Sequence, residues 1–249
     1  MELLTVTTLR ARHGFPLREG GVSIGAFASL NTSFSVGDDP SAVRHNLDAL
    51  ANVAGVEPAR LVTVTQVHGD RVVNALEAKS DTEADGLIAS TKGTAVGIRT
   101  ADCLPVLLED RRSGNVAAVH AGWRGVIAQI TGKALRQLVG PEGNFEHVYA
   151  GIGPCIQKCC FEVDGDLPER FTQAFGPEVL VTSAGAAKPK LDLVRAVRLT
   201  LERSGVPADH VAALPQCTMC DTRFFSHRRD RGITGRHLSF ITCDGASSL

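Results

Sequence analysis

His68, Cys103 and His120 are residues of types that bind metals or act in catalysis. Each of them lies within or at the end of an apolar segment of the sequence. Two neutral imidazoles and one thiolate suit Zn²⁺, and three protein ligands leave a fourth position open for water or substrate. Their spacing matches no zinc-finger pattern, and a single buried histidine or cysteine is usually just packed. The residue types therefore indicate a catalytic metal site. The spacing is equally compatible with three residues that are only packed in the core.

The same residues also fit a cysteine hydrolase. Cys103 would be the nucleophile and His120 its base. Asp102 or His68 would then orient the imidazole of His120. Because a thiolate held by zinc is partly quenched, Cys103 cannot serve fully as both nucleophile and metal ligand.

The segment "HAGWRG" after the last strand residues predicts a turn from a strand into a helix. Backbone amides around 122–125 would form a helix N-terminus, which is a natural site for an anion, and Arg124 could strengthen it. In the alternative, Gly122 and Gly125 only permit a tight turn in which Trp123 is packed in the core.

A second set of metal-ligand residues lies towards the C-terminus. Cys217 and Cys220 have the spacing of zinc ligands, and Cys159 and Cys160 could supply the other pair of a structural site. Adjacent cysteines are awkward co-ligands, so packing is the alternative. A nearby basic cluster could hold a phosphate or form a solvated surface; it comprises Arg223, Arg228, Arg229, Arg231 and Arg236.

Strands and helices interleave along the chain and must position these groups. Apolar, β-branched segments predict buried strands at 59–67, 94–110, 114–120 and 147–153. Helices are predicted at 38–55, 123–140, 167–176 and 191–205. Asp39 would cap the first helix, Pro40 would begin it and Gly55 would end it. A flexible loop is expected at 182–190. Side chains at the ends of neighbouring strands should converge at one sheet edge, where clefts form.

Composition excludes several classes of protein. Of the 249 residues 43% are apolar and 21% charged, which is ordinary for a soluble globular protein. A formal net charge of −1 gives no electrostatic reason to expect nucleic acid or an anionic membrane as a partner. No apolar run could span a bilayer, and the N-terminus lacks the layout of a secretory signal. Seven cysteines in a chain of this length favour a reducing cytoplasm over a disulfide framework.

Segments in order along nearly the whole chain resemble the YfiH family, also named multicopper polyphenol oxidase (laccase)-like and purine nucleoside phosphorylase. The most specific are "QVHG", "TADCLPV" and "HAGWRG". In that family the histidine, cysteine and histidine of these motifs hold a catalytic zinc, here His68, Cys103 and His120. The resemblance also implies a single α+β domain over 1–249, with mixed β-sheets layered between α-helices in the order αββα.

The activities that the resemblance implies are phosphorolysis of adenosine, inosine, guanosine and methylthioadenosine, with deamination of adenosine. A purine nucleoside and phosphate would be the small-molecule partners. Zinc suits the deamination, because a metal ion activates water for attack on the purine ring. The expected substrate-binding residues are Arg18, Asn31, Gln66, Arg124 and Arg228.

Two departures from the family pattern bear on these expectations. Where the family often has Asn-Arg in its first helix, this chain has Asn46 followed by Leu47. If that arginine holds phosphate, Arg44 or His45 would have to replace it. The usual tyrosine of "FFSYRRD" is His227 here, which adds a titratable group and could alter the choice of substrate.

The resemblance carries other functions as well. A bacterial member is linked to editing of peptidoglycan precursors, which would be amide hydrolysis by zinc-activated water or by a free Cys103. A laccase needs several copper centres held by many histidines, often in His-x-His pairs. This chain has eight histidines and no such pair, so we expect zinc and not copper. In a non-enzymatic zinc protein, Cys217 or Cys220 would be the fourth ligand.

Overall fold

The computed structural model describes residues 1–79, 81–140, 143–182 and 188–245. Residues 183–187 of the predicted loop lie outside these ranges. The described helices are α1 (Pro40–Ala54), α2 (Trp123–Ile127), α3 (Ile130–Val139), α4 (Leu167–Phe175) and α5 (Leu193–Ser204). The described strands are β1 (Leu3–Leu4), β2 (His13–Pro16), β3 (Leu61–Val62), β4 (Val72–Asn74), β5 (Gly86–Ala89), β6 (Thr94–Thr100), β7 (Leu104–Asp110), β8 (Val116–Ala121), β9 (Val148–Ile152), β10 (Leu180–Val181), β11 (Lys190–Leu191), β12 (Val211–Ala213) and β13 (His237–Cys243).

Two mixed sheets carry most of the strands. The five-stranded sheet has the order β1-β2-β13-β6-β3, and the six-stranded sheet has the order β12-β9-β7-β8-β5-β4. Strand β3 is parallel to β6 in the first sheet, and β4 is parallel to β5 in the second, while the central pairs are antiparallel. Strands β10 and β11 form a separate antiparallel pair.

Apolar side chains fill the space between the two sheets. Ile98 and Ile241 come from the five-stranded sheet, and Leu107 and Ala118 come from the six-stranded sheet; all four are inaccessible to solvent. Such burial stabilises the fold by about 25 cal/mol for each Å² of apolar surface removed from water. The sheets are therefore the two inner layers of the fold.

Helices cover the outer face of each sheet. Leu50 of α1 packs in one cluster with Phe240 of the five-stranded sheet. On the other side, Leu135, Phe171 and Val197 of α3, α4 and α5 join the apolar cluster of the six-stranded sheet. The predicted α+β fold with αββα layers is confirmed. That residues 1–249 form one domain stays a prediction. Within the described ranges, every helix falls short of the length and apolar content needed to cross a membrane.

The first helix has the ends that its sequence predicts. The carboxylate of Asp39 accepts a hydrogen bond from the amide of Ser41 at 3.0 Å, and Pro40 is the first helical residue. Gly55 ends the helix in the left-handed conformation, with φ 72°. These local signals are sufficient to predict both ends of the helix, because the groups that cap it lie within the helix or directly beside it.

Three predicted elements differ from the structure. The run at 94–110 is not one strand but two, β6 and β7, which belong to different sheets. The helix at 123–140 is divided into α2 and α3 by Gln129, whose φ is 62°. The strand at 59–67 is reduced to β3 and a single bridge at Thr65. An apolar pattern marks burial but does not show where a chain leaves one sheet for another.

Candidate metal centre

The structure brings His68, Cys103 and His120 together. Their ligand atoms lie within 4.8 Å of one another, and the two imidazole rings meet nearly at right angles. His120 is the second-last residue of β8, whereas Cys103 directly precedes β7, the neighbouring strand. His68 lies in the turn that follows the bridge at Thr65. Three separate parts of the chain therefore converge at one end of the β7–β8 pair.

Asp85, which the sequence analysis did not single out, ties two of these groups in place. Its fully buried carboxylate lies 2.7 Å from Nδ1 of His120 and accepts the backbone amides of Val67, His68 and Gly69 at 3.2, 3.0 and 2.7 Å. With Nδ1 facing Asp85, Nε2 of His120 is the nitrogen left to bind a metal. The available signal was "ADGLIAS", in which an acid directly precedes the buried strand β5.

The charges at this centre favour an ionised thiol. Burial opposes ionisation, but the charge of His120 and hydrogen bonds from His120 and His68 lower the pKa of Cys103 to about 6. Burial also opposes protonation of His120, but the charge of Cys103 and the hydrogen bond to Asp85 raise the pKa of His120 to about 9. Cys103 is therefore readily available as the thiolate that metal binding requires.

The backbone around the ligands is shaped for close approach. His68 and Asp102 have φ values of 60° and 88°, in the region that side chains other than glycine rarely adopt. A Cβ on Gly122 would lie 3.4 to 3.5 Å from atoms of all three candidate ligands. A glycine facing all three ligands, together with two imidazoles and a thiolate, fits a metal ion bound at this place.

Asp102 does not orient His120, so that part of the hydrolase alternative is wrong. Its carboxylate accepts hydrogen bonds from Thr218 Oγ1 at 2.6 Å and from the amide of Arg228 at 2.7 Å. Asp102 therefore links the turn that carries Cys103 to the C-terminal segment. Asp85 is the acid that contacts His120.

The metal-ligand group opens into a cavity of about 790 Å³. Apolar and aromatic side chains form part of its wall, namely Phe34, Leu47, Trp123, Ile156, Phe161 and Leu193. Polar side chains supply the remainder, including Ser33, Ser35, Thr63, Thr65, Gln66, Thr100, Asp102 and His227. This mixture suits a ligand with one flat apolar part and several polar groups.

Three arginines line the same cavity: Arg99, Arg228 and Arg236. Among the described residues none of them forms an ion pair. Burial lowers the pKa of Arg99 to about 10, and its guanidinium donates to Thr32 O at 2.7 Å and Thr63 Oγ1 at 3.2 Å. Cations in this setting favour an anionic ligand. The sequence carries no signal for Arg99, because this residue stands inside an apolar strand with no other basic residue beside it.

The expected substrate-binding residues divide into two groups. Gln66 and Arg228 line the cavity, and both ends of the Gln66 amide are bound to the backbone of Arg99, at 2.6 and 2.8 Å. Gln66 thus holds Arg99 in place.

The other three lie outside the lining that the described residues form. Arg18 donates to Ala28 O at 2.7 Å and lies over the ring of Phe225. Arg124 is exposed and stacks on Trp123, and α2 beside it has only five residues, too short for the expected anion site.

Asn31 is fully buried and acts on the cavity indirectly. Its amide group donates to Ser33 O and Asp38, and its carbonyl oxygen accepts the amides of Ser33 and Arg236 at 3.1 and 2.9 Å. Ser33 and Arg236 line the cavity, so Asn31 positions two of its wall residues.

The departures from the family pattern fall at different places. Leu47 and His227 line the cavity, whereas Arg44 and His45, offered as replacements for the missing arginine, line a separate shallow groove. Cys217 and Cys220 form a second group with Cys159 and Cys160, separate from the three residues at the cavity.

Comparisons with known proteins agree with this fold. A family model described as multi-copper polyphenol oxidoreductase laccase matches residues 12–244. A Deinococcus radiodurans protein named purine nucleoside phosphorylase is 36% identical, over 97% of this chain and 92% of its own. Purine nucleoside phosphorylase YlmD of Geobacillus stearothermophilus is also 36% identical, over 92% of this chain and 88% of its own.

The solved structure of Bacillus licheniformis YfiH, 30% identical, superposes with a TM-score of 0.85 over 92% of this chain and 91% of that one. The chain therefore belongs to the multi-copper polyphenol oxidoreductase laccase family, the family of YfiH and YlmD.

Proposed function

We propose that the protein is a zinc-dependent purine nucleoside phosphorylase that also deaminates adenosine. The observation that carries the proposal is one cavity that holds both a metal-ligand group and three arginines without ion pairs among the described residues. The names of the relatives support a purine nucleoside and phosphate as substrates. Inosine, guanosine and methylthioadenosine belong to the same proposed substrate class.

We assign zinc to the metal-ligand group on the chemistry of its donors. Two imidazoles and a thiolate also hold copper in electron-transfer sites, where a methionine, a glutamine or a backbone oxygen supplies a weak axial ligand. The chain has two methionines, Met1 and Met219, and both lie outside the cavity lining that the described residues form. Gln66 is in the lining, but its amide oxygen accepts the backbone amide of Arg99. His68, Cys103 and His120 would hold the zinc. When bound, it supplies a Lewis acid that polarises a purine substituent or acidifies water.

The arginines supply what phosphorolysis needs most, which is a held and oriented phosphate. Two donors of the Arg99 guanidinium are bound to Thr32 and Thr63, so its position is set before a ligand arrives. Arg236 donates Nη1 to the carbonyls of Thr234 and Gly235, and its Nη2 group, which has no hydrogen-bond partner among the described residues, is left for an anion. Arg228 adds a third, more exposed cation.

The aromatic walls would bind the purine, and the arginines would hold the phosphate beside it. A phosphate oxygen forms a bond to the anomeric carbon of the ribose while the bond to the purine nitrogen breaks. The departing base takes the electron pair and must receive a proton. Asp102 is held by Thr218 and Arg228, and His68, Cys103 and His120 would hold the metal, so we assign that proton to His227, the remaining histidine of the lining.

The direct test is to incubate zinc-loaded protein with adenosine or inosine, with and without phosphate, and to separate the products by chromatography. Free base should form only with phosphate, and His68→Ala should abolish it. Arg99→Met should raise the KM for phosphate by about 10- to 100-fold. This range corresponds to the loss of a hydrogen bond to a charged group, which contributes about 1.5–3 kcal/mol. Arg112→Met, an exposed arginine at the far end of β7, is the matched control. Absence of both free base and deamination in the wild type would overturn the proposal.

A test of His227 separates its role from that of the phosphate site. His227→Ala should lower kcat with little change in the KM for phosphate, whereas His227→Tyr, the residue usual in the family, should retain activity. An unchanged kcat in the alanine variant would exclude His227 as the proton donor.

Amide hydrolysis is a second candidate function, and one observation favours it. Cys103, His120 and Asp85 are in successive contact, as a nucleophile, a base and an orienting acid would be. Editing of peptidoglycan precursors would be a reaction of this kind. Amide hydrolysis needs no phosphate, so release of amine from an amide substrate without phosphate would distinguish it from phosphorolysis.

A further inference from the structure

Four cysteines, of which Cys159 and Cys220 are exposed and Cys217 is buried, face one another with their sulfurs unbonded. The Sγ atoms of Cys159 and Cys160 are 3.6 Å apart, those of Cys159 and Cys220 are 3.8 Å apart, and those of Cys160 and Cys220 are 3.2 Å apart. All four sulfurs, including that of Cys217, lie within 4.8 Å of one another. A disulfide requires about 2.0 Å, whereas four sulfurs at about 2.3 Å from a tetrahedral zinc lie about 3.8 Å apart. The spacing is that of metal ligands.

We propose that Cys159, Cys160, Cys217 and Cys220 form a second metal site, which binds zinc through four thiolates. A complete set of four protein ligands leaves no position for substrate, so this zinc has a structural role. The site is separate from His68, Cys103 and His120, and it does not depend on the reaction proposed for the cavity.

Backbone amides surround the sulfur of Cys217 in the way that supports a thiolate ligand. The amide of Gln157 donates to this sulfur at 3.4 Å, and the amides of Met219 and Cys220 also direct hydrogen bonds to it. Donors in this outer shell orient metal ligands and strengthen their binding.

The positions of the four sulfurs are set by two loops that bind each other through their backbones. Cys155 and Cys217 form a parallel bridge, in which the amide of Thr218 donates to Cys155 O at 3.0 Å. Turns within each loop place the remaining ligands, since the amide of Cys160 donates to Gln157 O at 2.8 Å. The adjacent pair of cysteines therefore faces the Cys-x-x-Cys turn because the backbone holds both loops in register.

Four thiolates within 4.8 Å of one another repel each other electrostatically, and a bound divalent cation would remove this repulsion. The ammonium of Lys190, which donates to Cys159 O at 2.7 Å, adds a positive charge beside a zinc centre whose four thiolates leave it negative overall.

The proposed zinc would stabilise one wall of the cavity. Phe161, which follows Cys160 directly, lines the cavity, and Thr218 of the other loop donates to Asp102 beside Cys103. A metal that ties these two loops therefore fixes both an aromatic wall residue and the turn that carries a ligand of the first site.

The test is a count of metal ions in protein purified under reducing conditions and loaded with zinc. Wild-type protein should hold two zinc ions per chain. Cys159→Ser combined with Cys220→Ser should hold one, and so should His68→Ala combined with His120→Ala. Cys243→Ser, which changes a distant buried cysteine, is the matched control and should hold two. A wild-type zinc content that is unchanged in the double cysteine variant would overturn the proposal.

Cobalt gives a second readout that does not require the cysteine variant to fold. In the His68→Ala, His120→Ala protein, added Co²⁺ should bind one per chain and show the intense sulfur-to-cobalt absorption of a four-thiolate site. Absence of that absorption refutes the site. So does a mass lower by two hydrogen atoms in unreduced wild-type protein, if peptide mapping assigns it to a disulfide among these four cysteines.

Discussion

Replacement of Asp85 by asparagine tests how the first metal site is positioned. One carboxylate oxygen lies against the amide of His68 and Nδ1 of His120, and the other against the amides of Val67 and Gly69. An asparagine of the same shape has one oxygen and one NH₂ group. In either orientation, the NH₂ group must therefore face two groups that donated to the carboxylate.

The magnitude follows from these contacts. A donor left without its acceptor costs about 1–3 kcal/mol. One donor, the amide of His68, is left if the NH₂ group faces His120, and two, the amides of Val67 and Gly69, are left in the other orientation. Asp85→Asn should therefore lose about 1–6 kcal/mol of unfolding free energy. If the NH₂ group faces His120, the imidazole accepts at Nδ1 and carries its proton on Nε2, the nitrogen needed for the metal. In the other orientation the turn that holds His68 loses its anchor. Either way, zinc affinity should fall about 10- to 100-fold.

The assay is a competition titration of zinc against a fluorescent chelator, with thermal unfolding measured on the same samples. Asp70→Asn is the matched control, because Asp70 stands in the same turn but is partly exposed and paired with Lys133. Loss of the ion pair between Asp70 and Lys133 should change the free energy of unfolding by about 1 kcal/mol or less. If Asp85→Asn bound zinc within twofold of the wild-type affinity, the positioning role of Asp85 would be refuted.

Three further predictions follow from single contacts. Gly122→Ala, at an ordinary backbone conformation, should weaken zinc binding while the far-ultraviolet circular dichroism stays unchanged, because the new methyl group would contact all three ligands; unchanged affinity would place the metal elsewhere. Burial lowers the pKa of His237 to about 3, so between pH 6.5 and pH 3 the unfolded chain binds a proton that the folded protein does not. Stability should therefore fall as the pH is lowered through this window, by about 3 kcal/mol between pH 7 and pH 4, and urea titrations of His237→Gln should show a shallower fall than the wild type. Thr218→Val keeps the side-chain shape but removes the donor 2.6 Å from Asp102, and should destabilise the protein by about 1–3 kcal/mol in the same titrations; an effect below about 0.5 kcal/mol would show that water replaces the hydroxyl.

Local signals predicted the helices better than the strands. The helix over 38–55 carries its own cap, first-turn proline and terminal glycine, and the structure has α1 between them. The run at 94–110 contains no comparable signal at the point where it divides. Asp102, with φ 88°, marks that point, but its conformation depends on Thr218 and Arg228 far along the chain.

The residues that bind or position an anion show the same limit. A basic cluster near the C-terminus drew attention to Arg228 and Arg236, which line the cavity. Arg99 stands alone in an apolar strand, and its pairing with Leu238 of β13 and its contact with Gln66 set its place in the cavity wall. Arg18 and Arg124 are basic residues of specific motifs, yet they are bound to their own neighbours.

The sequence by itself determined which residue types could hold a metal, the ends of the well-capped helices, and the layered α+β fold that its motifs imply. The tertiary structure decided which groups meet. It placed the carboxylate of Asp85 against the imidazole of His120 and the backbone amide of His68. It also divided one apolar run between two sheets and brought two distant cysteine pairs within 4.8 Å. The reason is physical: a capping residue or an apolar period acts over a few residues of the chain. A ligand set or a buried carboxylate is satisfied by partners tens of residues away, which only the packing of the two sheets brings within reach.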